Sequence, residues 1–148
     1  MTAGTWTTTN LQQIQLFGPG VALAGAVLQT KQASTTSETA VTSSTFGNTG
    51  VTAAIAPRSA ANLIRANYGG LGRNSNSTNT TLILGLFRGA TQIGTSPQLF
   101  SGSGAANINL SDEWIDGPNT TSSTTYVIKA ASQDNATSVS FPRVGTTA

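Results

Sequence analysis

The chain has 148 residues, enough for one domain with a substantial core and too few for two. Only 8% of them are charged, against roughly 25% in an ordinary soluble domain, and seven Lys and Arg nearly balance five Asp and Glu at +2. Neither Cys nor His is present, which excludes thiol chemistry, disulfides, His-dependent triads and the commonest zinc sites.

Thr, Ser and Asn make up about a third of the chain. Residues 1–25 carry no charged side chain and read as an extended N-terminal arm, with a Thr run at 7–9 and a break at Gly18-Pro19-Gly20. Ile14 to Leu28 is mostly apolar, but no Lys or Arg precedes it as a secretory signal requires. The Gly-Pro-Gly break also cuts a run already shorter than the ~20 apolar residues of a membrane span. No membrane contact is expected. Five Asn-x-Ser/Thr sequons, at Asn76, Asn79, Asn109, Asn119 and Asn135, are no more than this composition produces by chance.

Residues 26–148 read as the folded domain. Val27–Gln32 is the expected first strand, and Ser34–Ser44 is a Thr/Ser-rich loop or polar edge strand. Phe46-Gly47-Asn48-Thr49-Gly50 is expected as a turn, followed by a β-prone run from Val51 to Ala56 that Pro57 stops. Asn62–Tyr68 alternates Leu63, Arg65 and Asn67 against Ile64, Ala66 and Tyr68, and is expected to end at Gly69-Gly70. Gly72 to Asn79 has the composition of an exposed loop. Thr81–Arg88 puts Leu82, Leu84 and Leu86 on one side with Ile83 and Phe87 on the other, the signature of a central strand covered on both faces. Gly89-Ala90 then turns the chain into Thr91–Gly94, making 81–94 a hairpin.

Ser101 to Gly104 is expected as a flexible turn, and Ile108 and Leu110 alternate. Trp114-Ile115 precede a turn at Gly117-Pro118. Thr124–Ala131 sets Tyr126, Ile128 and Ala130 against Val127 and Lys129, and Ser138–Phe141 is a final short strand. No window shows a capped period of 3.6 residues. Short strands punctuated by Gly and Pro predict an all-β fold, an antiparallel sandwich or barrel.

Chemistry has few candidates. Asp112, Glu113 and Asp116 could in principle gather around Ca²⁺ or act as a glycosidase pair, but their spacing fits no EF-hand loop and the reading favours a polar turn. Asp134 reads as another turn residue. Gly69 to Gly72 and Gly102 to Gly104 complete no nucleotide fingerprint and read as turn glycines. No Gly-x-Ser-x-Gly elbow occurs and no base exists to activate a serine. No enzyme activity, cofactor or metal is expected. The seven basic residues are spread from Lys31 to Arg143 rather than clustered, so nucleic acid is not an expected partner. Trp6, Tyr68, Trp114 and Tyr126 could stack on sugars, although core or subunit-interface anchoring is the commoner role of such residues.

The run from Thr45 to Ile64, with Phe46-Gly47-Asn48-Thr49-Gly50 leading through Val51–Ala56 to Pro57-Arg58-Ser59, resembles a domain common in bacteriophage virion proteins. Leu86 to Gly94 is similar to a second piece of that family. Asp116-Gly117-Pro118, then Thr120-Thr121 and Thr124 to Ile128, is similar to a third. Together they span about residues 26–144. The resemblance implies a β-sandwich of jelly-roll type, usually trimeric, displayed on capsid decorations, head fibres or tail spikes, with no catalytic residues. In the resembling pattern a further apolar strand follows Phe141-Pro142-Arg143. Here that strand is expected to be dispensable, or to be supplied by residues 11–28 or a neighbouring subunit.

The expectation is therefore an antiparallel β-sandwich of jelly-roll type with an N-terminal arm, acting as a virion structural protein. About 25 residues ahead of the domain are short for a fibre shaft, which favours a trimeric decoration (cement) or head-fibre protein on the outer surface of the head. Its expected partners are the major capsid protein or other virion proteins. Trp6, Leu16, Phe17 and Leu23 are the candidate trimer or capsid contacts. The alternative is a tail-fibre or spike domain that grips host glycans through loops such as 72–80 and 95–106. Arg73, Asn76 and Trp114 are its candidate ligand contacts. A carbohydrate-binding module outside any virus is a third, more distant reading.

Overall fold

In the computed structural model the chain divides into two units, Met1–Thr30 and Lys31–Ala148. The residues described are 27, 29–74, 80–100, 106–133 and 139–142. Among them run eight strands: β1 (Ala40–Val41), β2 (Gly47–Ile55), β3 (Ile64–Asn74), β4 (Thr80–Arg88), β5 (Thr91–Phe100), β6 (Ala106–Asp116), β7 (Thr124–Ser132) and β8 (Val139–Ser140). They form two four-stranded antiparallel sheets, ordered β1-β8-β3-β6 and β2-β7-β4-β5. One core cluster draws on both sheets, so the expected all-β sandwich is what the chain forms. Among the described residues no helix is long and apolar enough to cross a membrane.

The ladders are nested. The β4–β5 hairpin lies inside the β3–β6 pair, which lies inside β2–β7, which lies inside β1–β8. The chain from β1 to β8 is therefore one long hairpin, folded over on itself by the β3–β8 and β4–β7 pairings. Gly89 sits at its tip with φ +58°, a left-handed value that glycine adopts without steric cost.

Alternation in sequence becomes burial. On β4, Leu82 and Leu84 are 0% exposed and Leu86 2%. They meet Tyr126, Ile128 and Ala130 of β7, and Val41, Leu110, Val139 and Phe141 from the other sheet. Burying each of these leucines stabilises the fold by about 1.5–3 kcal/mol. β4 lies between β7 and β5 and its opposite face is covered too, with Phe87 buried, as its two apolar faces require.

Several expected boundaries are corrected. Residues 29–39 contain no strand, and their side chains are half-buried or exposed, so the expected Val27–Gln32 strand does not form over its described part. Gly47 to Gly50 of the expected turn are instead the start of β2, which keeps pairing with β7 around a register irregularity between Asn48 and Thr52. Gly50, at φ +81°, takes the bend. Nor does β3 stop at Gly69-Gly70. It continues to Asn74, because Gly70 and Gly72 leave room for the Phe141 ring and for the Leu110 and Leu82 side chains. Residues 95–100, expected in a loop, extend β5, and Asp112, Glu113 and Asp116 belong to β6 rather than to a turn. β8 lies between β1 and β3, inside its sheet. Asp134 and the Ser101–Gly104 turn lie outside the described residues.

Candidate functional site

The three acids of β6 fall on different faces. Glu113 points outward and pairs with the exposed Arg65 of β3. Asp112 and Asp116 take the opposite phase, four residues apart, about 13 Å along a strand. Carboxylates that far apart cannot share one Ca²⁺, whose ligands lie at about 2.3–2.6 Å. Among the described residues no group of three acids assembles a metal site.

Asp116 instead ties the two sheets together. It is 8% exposed, and its Oδ2 accepts the Tyr126 hydroxyl at 2.6 Å and faces Arg88 Nε at 3.4 Å. Arg88 and Tyr126 are opposite one another on β4 and β7, so two neighbours on one sheet converge on a carboxylate from the other. Burial is the main influence raising the Tyr126 phenol above its ordinary 10.0. The hydrogen bond to Asp116 and its negative charge add to this, and Arg88 opposes them. The phenol therefore stays a donor at neutral pH. Chemically this is a structural tie between the sheets.

A second cluster fills the flank where β5 and β6 lie side by side. Tyr68 and Trp114 stack with centroids 5.2 Å apart, and Phe141 meets Tyr68 edge-on at 5.8 Å. The Trp114 indole lies so close to Gly94 of β5 that a methyl group there would fall on the ring. Beside them Gln98 Nε2 donates to Ser96 Oγ at 2.8 Å. The Tyr68 hydroxyl is buried without a well-formed hydrogen bond among the described residues, and burial raises its pKa.

The outer face of the β2-β7-β4-β5 sheet carries a third cluster. Phe46 closes over Gly85 and meets Phe87 edge-on at 5.1 Å, while Lys129 Nζ stands 4.4 Å above the Phe87 ring. Elsewhere on the surface Leu63 (70%), Leu99 (65%) and Ile115 (60%) are exposed.

Of the candidate ligand contacts, Arg73 is half-buried on β3 and Trp114 lies on β6 with its ring turned inward, so neither belongs to a loop. Asn76, Trp6, Leu16, Phe17 and Leu23 lie outside the described residues. The sequence reading missed the Arg88–Asp116–Tyr126 tie and the Phe46–Phe87–Lys129 cluster. The inward phase of Tyr126 was its one available signal. No family model, curated protein or solved structure matches this chain.

Proposed function

We propose that this chain is a structural protein of a bacteriophage virion, a homotrimeric capsid decoration (cement) or head-fibre protein that attaches to the major capsid protein and stabilises the head. The nesting of its four ladders supports reading the sandwich as a jelly roll, an eight-stranded double sheet. The carrying observation is a surface equipped for assembly: Leu63, Leu99 and Ile115 are 60–70% exposed on a chain with only 8% charge. Permanent interfaces are apolar and depleted of charge at their centres. Electron microscopy of labelled protein on purified heads is expected to decorate the capsid lattice, and heads lacking it are expected to break open at lower temperature. Label confined to the tail tip would overturn the reading.

The alternative, a tail-fibre or spike domain that binds host glycans, draws on the outer row of β3 and β6. There Asn67, Arg73, Asn107, Asn109 and Ser111 present amides, a guanidinium and a hydroxyl. Glycan-array binding lost on Arg73→Ala, with the fold intact, would favour it.

A further inference from the structure

We propose that β6 is a self-association edge, along which a second copy of this chain adds antiparallel across a two-fold axis. Four strands end the two sheets, and three carry features that natural proteins use to blunt an open edge. β1 is two residues long. β2 is irregular between Asn48 and Thr52, and residues 35–39 run beside it, where Thr39 Oγ1 donates to Thr49 O at 3.4 Å. β5 contains Pro97, and its pairing shifts register opposite Leu86 and Phe87.

β6 has none of these features. Its 11 residues pair with β3 without a shift, contain no Pro, Lys or Arg, and have no second partner strand among the described residues. Two restraints are visible: Asp112 and Asp116 are acids in the inward phase, and Asp112 accepts the N–H of Glu113 on its Oδ1 at 2.7 Å. Among the described residues no further strand hydrogen-bonds to this edge, and β5 of the other sheet meets β6 through Trp114 and Gly94.

The occupant follows from self-complementarity. A pairing centred on Ser111 uses the whole strand and sets Asn109 against Glu113, Asn107 against Ile115, Ile108 against Trp114 and Leu110 against Asp112. No acid then faces an acid, and each Glu113 carboxylate meets an amide, whereas like charges directly opposite would destabilise the ladder. Centring on Glu113 instead would put two carboxylates face to face. In the favoured register Ile115, 60% exposed, gains the Asn107 side chain beside it. Two four-stranded sheets become one continuous sheet of twice the width.

This contact is independent of the proposed trimer, since a two-fold axis doubles whatever mass the rest of the assembly has. Ser111 is exposed and lies opposite Gly69, so longer side chains fit there without disturbing the core. Ser111→Lys and Ser111→Glu each place like charges on the axis. Measured by light scattering after size exclusion, each variant alone is expected at half the mass of the unaltered chain, with an unchanged far-ultraviolet circular dichroism spectrum. An equal mixture of the two is expected to return to the full mass. A single variant that keeps the full mass, or a mixture that remains at half, overturns the proposal.

Discussion

The carboxylate of Asp116, at the end of one sheet, accepts the phenol hydrogen of Tyr126 on the other at 2.6 Å. That bond joins the two layers that share the apolar core. Tyr126→Phe keeps the ring in the core and leaves Asp116 with Arg88 alone. A buried acceptor that loses its donor costs about 1–3 kcal/mol. Urea unfolding should show a loss of that size, and a change within error would demote the tie to a bystander.

The same pair sets a pH dependence. Tyr126 has a raised folded-state pKa, so its contribution is complete below the unfolded phenol's 10.0 and is lost as pH climbs from there towards the folded value. Between those two values the unfolded state releases protons that the folded state retains, and stability falls with pH. Thermal midpoints at pH 8 and pH 11 should therefore differ more in the unaltered chain than in Tyr126→Phe. Tyr68 contributes in the same direction, so the variant retains part of the slope.

Gly94→Ala tests the β5–β6 flank. The added methyl would fall on the Trp114 ring, and overpacking of this kind costs about 1–3 kcal/mol. Trp114 fluorescence should shift as the indole is displaced. Replacing Trp114 with Leu in the Gly94→Ala background should make the second substitution far less costly than it is alone. Additive losses would show that the two residues do not press on each other.

Thr49 is 1% exposed and its hydroxyl donates to the Ile128 carbonyl at 2.6 Å. Thr49→Val preserves shape and orphans that carbonyl, at about 1 kcal/mol or more. Thr52→Val removes a bond of 3.2 Å to the Tyr126 carbonyl from an exposed side chain, where water replaces the hydroxyl. The first is expected to cost distinctly more than the second in denaturant unfolding.

Arg65 and Glu113 form an ion pair with side chains 73% and 38% exposed. Surface pairs of this kind contribute about 0–1 kcal/mol. Arg65→Ala should leave the melting temperature nearly unchanged, and a drop of several degrees would point to a neighbour that the pair supports.

Local alternation made the inner faces legible. Leu82, Leu84 and Leu86, then Tyr126, Ile128 and Ala130, and Ile64, Ala66 and Tyr68 all face inward as their spacing in sequence indicates. Glycine and asparagine misled, because their local signature is the same in a turn and in a strand that must make way for a neighbour. Gly70 and Gly72 are explained by Phe141, Leu110 and Leu82, residues 10 or more positions away. β1 and β8 have two residues each, too few for any period to show. The Asp116–Tyr126 bond depends on which strand ends over which, information that no short window contains. The nested strand pairing joins residues as far apart as Ala40 and Ser140, a separation that no local pattern spans.

That nesting also governs how the chain can be cut and rejoined. Ala40 pairs with Ser140, so the two ends of the strand-bearing region are neighbours, while Gly89 and Ala90 sit at the far tip of the folded ribbon. Each ladder closes a longer loop around the last, and the many distant pairings make for slow folding. A short tether between the ends would close that outermost loop in advance, and the region could be inserted into a host protein's loop as a module. Opening the chain at Gly89-Ala90 would remove the shortest connection between consecutive strands of the ribbon.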